Sequence, residues 1–498
     1  MPWPPRGWTT ARPASTSDPR PAPLTPPTPP SGPTPRISSV RPAPVRRRNA
    51  RYTPLDADGP LPTDMVRSIR AIGRDPLHFL QGCVQRYGDL VAFPMPRTPV
   101  LLVNDPAGVR RVLQEGHRGY SKQTVQYGAL SMVTGSGLLT ADGDAWLRRR
   151  RLVQPAFHHS GLPAVAAAAA TAAEQLRRQW SAAPGGVLDL DSAVLRAMLD
   201  VVGRTLFDAD LADVGRQVVA AVDDALHVVV ARARSPLPAW LPTPSRARLR
   251  AAVQTLDAVC LDVVRRRRES GIRNDATDLL ALLLRSSDAS TGLTDRELRD
   301  ELVTLVIAGH ETVASALTWS LHLLSRDDDV QNRLAAELDD VLGGRAPGWD
   351  DLPRLTYARA VVDEALRLYP PAWVVTRRAR ADDEVSGIAV PAGTLMIISP
   401  WLVHRRAQSW PDPERFDPQR FDPERSAAGP AARADYLPFG AGPRLCIGRE
   451  FALVEAVLVL AGLLRGRRVS PVDAVPPQVD ALVTLRPRGG LRLRLTAG

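Results

Sequence analysis

The chain has 498 residues, 44% of them apolar, and carries 64 Lys+Arg against 53 Asp+Glu for a net charge of +11. At about 100–200 residues per domain, that length allows two to four domains or one large fold, and the apolar content excludes a wholly disordered chain. Three cysteines (Cys83, Cys260 and Cys446) are too few for a disulfide scaffold and point to a reducing compartment. The basic balance does not single out a nucleic-acid partner. Residues 1–50 hold eight Arg against one Asp, so +7 of the charge lies there and +4 is spread over the other 448 residues. Lys122 is the only lysine, which makes the basic character a compositional preference for Arg, and no nucleic-acid motif accompanies it.

The first stretch also contains 15 of the 47 prolines. Proline at this density removes amide donors and fixes φ, so residues 1–51 read as a disordered Pro/Arg-rich tail ahead of one domain spanning 52–498. The tail has no apolar segment of the kind a secretion signal needs. From Tyr52 the pattern is mainly helical. Short strands at Val91–Phe93 and Val100–Val103 precede helices at Leu162–Ala182, Leu188–Leu206, Leu211–Ala233, Ser245–Arg268 and Ala276–Ser286, with a proline-rich break at 236–244. Thr294 and Glu297 form a capping box that opens a helix reaching about Ser325. Helices near Val330–Leu342 and Tyr357–Leu368 follow, then strand-like runs at Val385–Val390 and Leu395–Ile398, and an apolar helix beyond Gly448. No segment offers about 20 uninterrupted apolar residues, so no transmembrane anchor and a cytoplasmic location are expected. The fold class is mainly α with small β-sheets.

Four motifs carry chemistry. In Phe439-Gly-Ala-Gly-Pro-Arg444-Leu-Cys446-Ile-Gly448, glycines let the backbone approach a cysteine that precedes a helix N-terminus, with Arg444 beside it. The positive end of that helix favours a thiolate. In Ala308-Gly309-His-Glu311-Thr312, a mid-helix glycine costs about 1 kcal/mol relative to Ala and needs a reason. Thr312 can bond back to the carbonyl four residues earlier and distort the helix there. Glu364-Ala-Leu-Arg367 places opposite charges on one helix face, as Trp146 and Arg150 share a face of another.

Together these motifs resemble the cytochrome P450 family, whose Phe-Gly-x-Gly-x-Arg-x-Cys-x-Gly loop is matched at every fixed position. The resemblance runs from about Tyr52 to the C-terminus. It implies the P450 fold, with haem b between the long central helix and the Cys-loop helix, and Cys446 as the axial thiolate. Phe439, Gly440, Arg444 and Gly448 would form the cofactor loop, while Ala308 and Gly309 make room for dioxygen. Thr312 would hydrogen-bond the activated oxygen and Glu311 would relay protons. Trp146 and Arg150 would face a haem propionate, with His404 and Arg378 (or its neighbour Arg377) as further candidates. Glu364, Arg367 and Arg420 correspond to the family's structural triad, Arg420 being preferred over Arg415. The substrate pocket would draw on residues 123–139, Val218–Trp240, Leu305, Ala308, Val374 and Val375, and a turn at Val483–Thr484.

The implied function is a monooxygenase acting with O2 on a hydrophobic small molecule, with terpenoid or fatty-chain substrates favoured and the protein acting as a monomer. No reductase sequence follows Cys446, so electrons would come from a separate donor such as a ferredoxin and its reductase. Arg149, Arg151 and Arg449 are candidates for the face that meets it. The alternative is a haem-thiolate protein that binds ligand, or works as a peroxygenase, without the normal oxygenation cycle.

Overall fold

The computed structural model describes residues 55–95, 98–211, 213–234, 244–271, 276, 278–287, 293–422 and 435–498. The expected tail and nearly all of the proline-rich break lie outside the described residues. Helices α1 (Pro62–Arg74) and α2 (Pro76–Tyr87) both start with proline at the first helical position, where a missing amide is no loss. Strands β1 (Leu90–Phe93) and β2 (Val100–Val103) then pair antiparallel, Leu90 opposite Val103. After α3 (Pro106–Arg110) come β3 (Tyr120–Ser121), α4 (Val125–Thr134), α5 (Gly143–Val153) and α6 (Leu162–Ala182). Next are β4 (Val187–Asp189), α7 (Leu190–Leu206), α8 (Gly215–Arg234), α9 (Pro244–Ser270) and α10 (Leu279–Ser287).

The longest described helix, α11 (Asp295–Leu324), begins at the capping box. The Thr294 side chain accepts from the Glu297 amide, and Glu297 returns the bond to the Thr294 amide. It is long and apolar enough to cross a membrane by length and composition, yet it is buried among other helices along most of its length. Helices α12 (Asp328–Leu342) and α13 (Thr356–Leu368) follow. The chain continues through β5 (Val375–Ala379), β6 (Asp383–Val385), β7 (Ile388–Val390), β8 (Leu395–Ile398) and α14 (Pro400–Val403). It ends with α15 (Arg449–Leu464), β9 (Arg467–Pro471), β10 (Val479–Ala481), β11 (Leu485–Pro487) and β12 (Arg492–Ala497).

One five-stranded sheet has the order β1-β2-β8-β5-β3, in which only β2 and β8 run parallel. Smaller sheets are β4-β12-β9, β6-β7 and β10-β11. The main core lies where α6, α7, α11, α13 and α15 pack together. Glycine sets one of these contacts: a Cβ on Gly462 of α15 would stand 2.7 Å from the Ala173 methyl of α6.

Two sequence expectations need correction. The helix expected from Leu188 starts at Leu190, because Val187–Asp189 pairs with β12, Leu188 opposite Leu493. The single run Val385–Val390 is a hairpin, turned at Ser386 and Gly387 with φ of 49° and 82°.

Candidate functional site

A cavity of ≈ 350 Å³ lies between the middle of α11 and the segment leading into α15. The Cys446 side chain opens onto it, and the loop before it is shaped by backbone. Gly440 and Gly442 have φ of 74° and 70°, and a Cβ on Gly442 would meet the Leu113 carbonyl oxygen at 2.1 Å. The Cys446 amide donates to the Phe439 carbonyl at 3.0 Å, closing the loop on itself. Burial pushes the Cys446 thiol up, and the Gly448 amide, Arg150 and Arg449 only partly offset it. The helix terminus favours the charged sulfur and burial opposes it. A metal ion replacing the proton would supply the missing charge.

Across the cavity, α11 presents Leu305, Ala308, Gly309 and Thr312. Gly309 has its reason in packing, since a Cβ there would stand 2.7 Å from Val202 Cγ2 on α7. Thr312 Oγ1 donates to the Ala308 carbonyl at 2.8 Å, as its spacing predicts, but the helix runs on without interruption. Glu311 is buried and its Oε2 accepts from Thr484 Oγ1 at 2.9 Å. Val374 and Val375 line another wall, and Val483 and Thr484 contribute from the turn before β11.

A cluster of cations stands at one edge. Arg150 donates to the Leu445 carbonyl at 3.0 Å. Arg444 pairs with Asp142 and lies over the Trp146 ring, 4.5 Å from its centroid. Two members went unassigned or undecided in the sequence reading. Lys122, the lone lysine, is buried and donates to the Leu139 carbonyl at 2.6 Å. Burial first, then Arg377 and Arg444, hold its ammonium well below the usual lysine range. Arg377 lines the cavity and donates to the Tyr127 hydroxyl at 3.1 Å. Arg378 does not line it: strand alternation turns it to the other face of β5, where it donates to the carbonyls of Gln123 and Gly393. Of the neighbouring pair, the cavity-facing residue is thus Arg377.

His404 also departs from expectation. Its Nε2 accepts from the Leu437 amide at 2.7 Å, so Nδ1 carries the hydrogen and donates to the Arg367 carbonyl at 3.0 Å. Both nitrogens are engaged by backbone and none remains for an anion. The ring instead braces the start of the Cys446 loop against α13. Arg367 lies on that helix, paired with Glu364 at 2.6 Å and donating to the His404, Pro413 and Arg415 carbonyls. Arg420 approaches Glu364 at 3.4 Å, while Arg415 contributes only its carbonyl. The three predicted triad residues are therefore together. Arg149 is not at the surface: it is buried against Glu301 of α11 at 2.8 Å.

The donor set suits one type of occupant. A sulfur faces the cavity centre, four cations with Asp142 as a near counter-charge converge at its edge, and the remaining walls are mainly apolar. That chemistry fits a flat apolar group with a soft metal at its centre and carboxylates at its rim, as in haem.

A cytochrome P450 family profile matches residues 59–493. Pentalenene oxygenase from Streptomyces avermitilis is 36% identical over 427 residues, covering 85% of this chain and 93% of that protein. Cyclooctat-9-en-7-ol 5-monooxygenase from Streptomyces melanosporofaciens is 36% identical over 432 residues, covering 84% and 90%. The crystal structure of CYP175A1 from Thermus thermophilus superposes with a TM-score of 0.71 at 33% identity, covering 88% of this chain and 99% of that one. With a profile spanning nearly the whole described chain, and relatives and solved structures that agree with it, the chain belongs to the cytochrome P450 family.

Proposed function

We propose that the protein, an oxygen-incorporating oxidoreductase by family, oxygenates a hydrophobic terpenoid, using haem b held by Cys446 and electrons from a separate donor such as a ferredoxin. The observation that carries the reading is the cavity itself, with a sulfur on one side and the Ala308-Gly309 and Thr312 face of α11 on the other. When bound, the cofactor supplies the activation of dioxygen that inserts one oxygen atom into the substrate. The protein's share is orientation, exclusion of water and proton supply. Lys122, Arg150, Arg377 and Arg444 would hold the cofactor's carboxylates, and the Arg forks suit two parallel hydrogen bonds. Leu305, Val374 and Val375 would turn an apolar substrate toward the reacting centre and keep water out. Thr312 Oγ1, now bonded to its own helix, can turn to place a hydrogen bond in the cavity, and Glu311 is the acid one residue away.

Terpenoids are favoured because two relatives, each covered over most of its length, are named for cyclic terpenoid substrates. The test has two parts. The reduced, carbon monoxide-treated protein should show the thiolate-ligated haem spectrum, and Cys446→Ala should lose it. A spectrum that persists in Cys446→Ala would overturn the ligand assignment. Cyclic terpenes should then shift the absorption spectrum of the haem-loaded protein. Shifts with fatty acids alone would sink the terpenoid reading.

A further inference from the structure

Glu311 sits at the end of a buried charged cluster that reaches the surface of α8. Its Oε1 makes no hydrogen bond; Arg486 Nη1 lies 3.7 Å and His310 Nε2 4.0 Å away. His310 donates through Nδ1 to the Val306 carbonyl at 2.6 Å, so its Nε2 presents a lone pair toward that oxygen. The two facing acceptors, Glu311 Oε1 and His310 Nε2, thus have no donor between them. Arg486 meanwhile gives 2.6 Å and 3.0 Å hydrogen bonds to Asp191 of α7 and Asp223 of α8. One guanidinium therefore serves three carboxylates from three helices, so carboxylates outnumber the cation in this cluster.

The elements on each side are held in place. Ser315 and the Trp319 indole on α11 both donate to the Leu485 carbonyl, at 2.6 Å and 3.0 Å, and pin β11 so that Thr484 and Arg486 flank Glu311. Asp191 is buried with Asp189 two residues before it, whereas Asp223 is half-exposed and accompanied by His227 at 3.4 Å. Burial raises the Asp191 carboxyl above its usual range; Arg486 opposes this and Glu311 adds to it.

We propose that Asp223, Asp191 and Arg486 form an inlet that delivers protons from the α8 surface to Glu311, with Asp191 as the buried proton store and Arg486 as a positioning residue. This rests on the reading of Glu311 as the pocket's acid. A proton from water is taken up by the Asp223 carboxylate, passes to Asp191 and then to Glu311 Oε1. Each donor becomes a carboxylate again, no electron moves, and the guanidinium stays charged throughout.

Infrared spectroscopy of the haem-loaded protein, mixed rapidly from H2O into D2O, tests this without substrate or electron donor. The wild type should show a protonated-carboxyl band that Asp191→Asn removes. Its isotope shift should slow by at least about tenfold in Asp223→Asn, and remain at the wild-type rate in Asp224→Asn, an exposed neighbour. Arg486→Lys should retain the band and Arg486→Gln should displace it. Retention of the carbon monoxide spectrum shows that each variant is folded. An unchanged set of bands in Asp191→Asn, or undiminished exchange in Asp223→Asn, would overturn the inlet. The pocket reading fails separately, if Glu311→Gln consumes reducing equivalents with the same ratio of product to hydrogen peroxide as wild type.

Discussion

Two buried histidines place acid sensitivity at single residues. The His404 ring has its unprotonated Nε2 committed to the Leu437 amide, so protonation breaks that bond, and burial lowers its pKa from the ordinary 6.5 to about 3. Burial likewise lowers His322 to about 4. Below pH 6.5 the unfolded chain binds a proton at each position and the folded chain does not. Stability therefore falls as pH drops, by about 1.4 kcal/mol per pH unit for each ring, until the folded pKa is reached. His404→Gln should be less stable at pH 7, yet its stability difference between pH 7 and pH 5 should be smaller than wild type's by about 2 kcal/mol in urea denaturation. An unchanged difference would mean that the ring accepts a proton in the fold. Lys122 and Arg377 make the same point about position: each acquires its setting from segments far away in sequence, and neither carries a local signal beyond its charge.

At the scale of elements, α11 shows which features a sequence carries in itself. Its capping box, its length and the Ala308–Thr312 motif follow from neighbours three and four residues apart, and were legible. Among the four consecutive arginines at 148–151 on α5, the spacing from Trp146 singled out Arg150, but Arg149 was not separable from its exposed neighbours, because burial is decided by what packs against each one. Arg149 and Glu301 are both buried and bonded to each other, and Glu301 also accepts from the Leu138 amide. The arrangement ties α5 and the cavity-lining segment after α4 to α11, with Ser136 held the same way by Asp300. Arg149→Met leaves the Glu301 carboxylate buried without its cation and should cost about 3–5 kcal/mol in denaturant unfolding. Arg151→Ala, on the exposed side, should stay within about 0.5 kcal/mol. Equal effects would show that the pair does not hold the elements together. The strand at Val187–Asp189 was missed for a related reason: its partner β12 lies about 300 residues away, and β pairing reflects that neighbour more than local propensity. The Val385–Val390 error is different, since the Ser386-Gly387 turn signal was present within the run.

For the whole molecule, the question is how much of the chain the catalytic unit needs. The described core begins at Leu55, which is 1% exposed and packs with Leu101, Val109 and Ile398 in one apolar cluster. The P450 match begins at residue 59, and each cavity residue lies beyond 112. Residues 1–50, by contrast, contribute 15 prolines and seven of the eleven net positive charges, a composition with little to bury. We expect a chain lacking residues 1–50 to load haem with the same carbon monoxide spectrum. It should unfold within about 2 °C of the full chain, a change that corresponds to about 2 kcal/mol in a protein of this size. Its net charge should fall to +4, so its retention on a cation exchanger and on anionic vesicles should weaken. A marked loss of haem or of thermal stability would show that the basic segment belongs to the catalytic unit. Unchanged retention on both surfaces would show instead that the segment's charge is not what meets them.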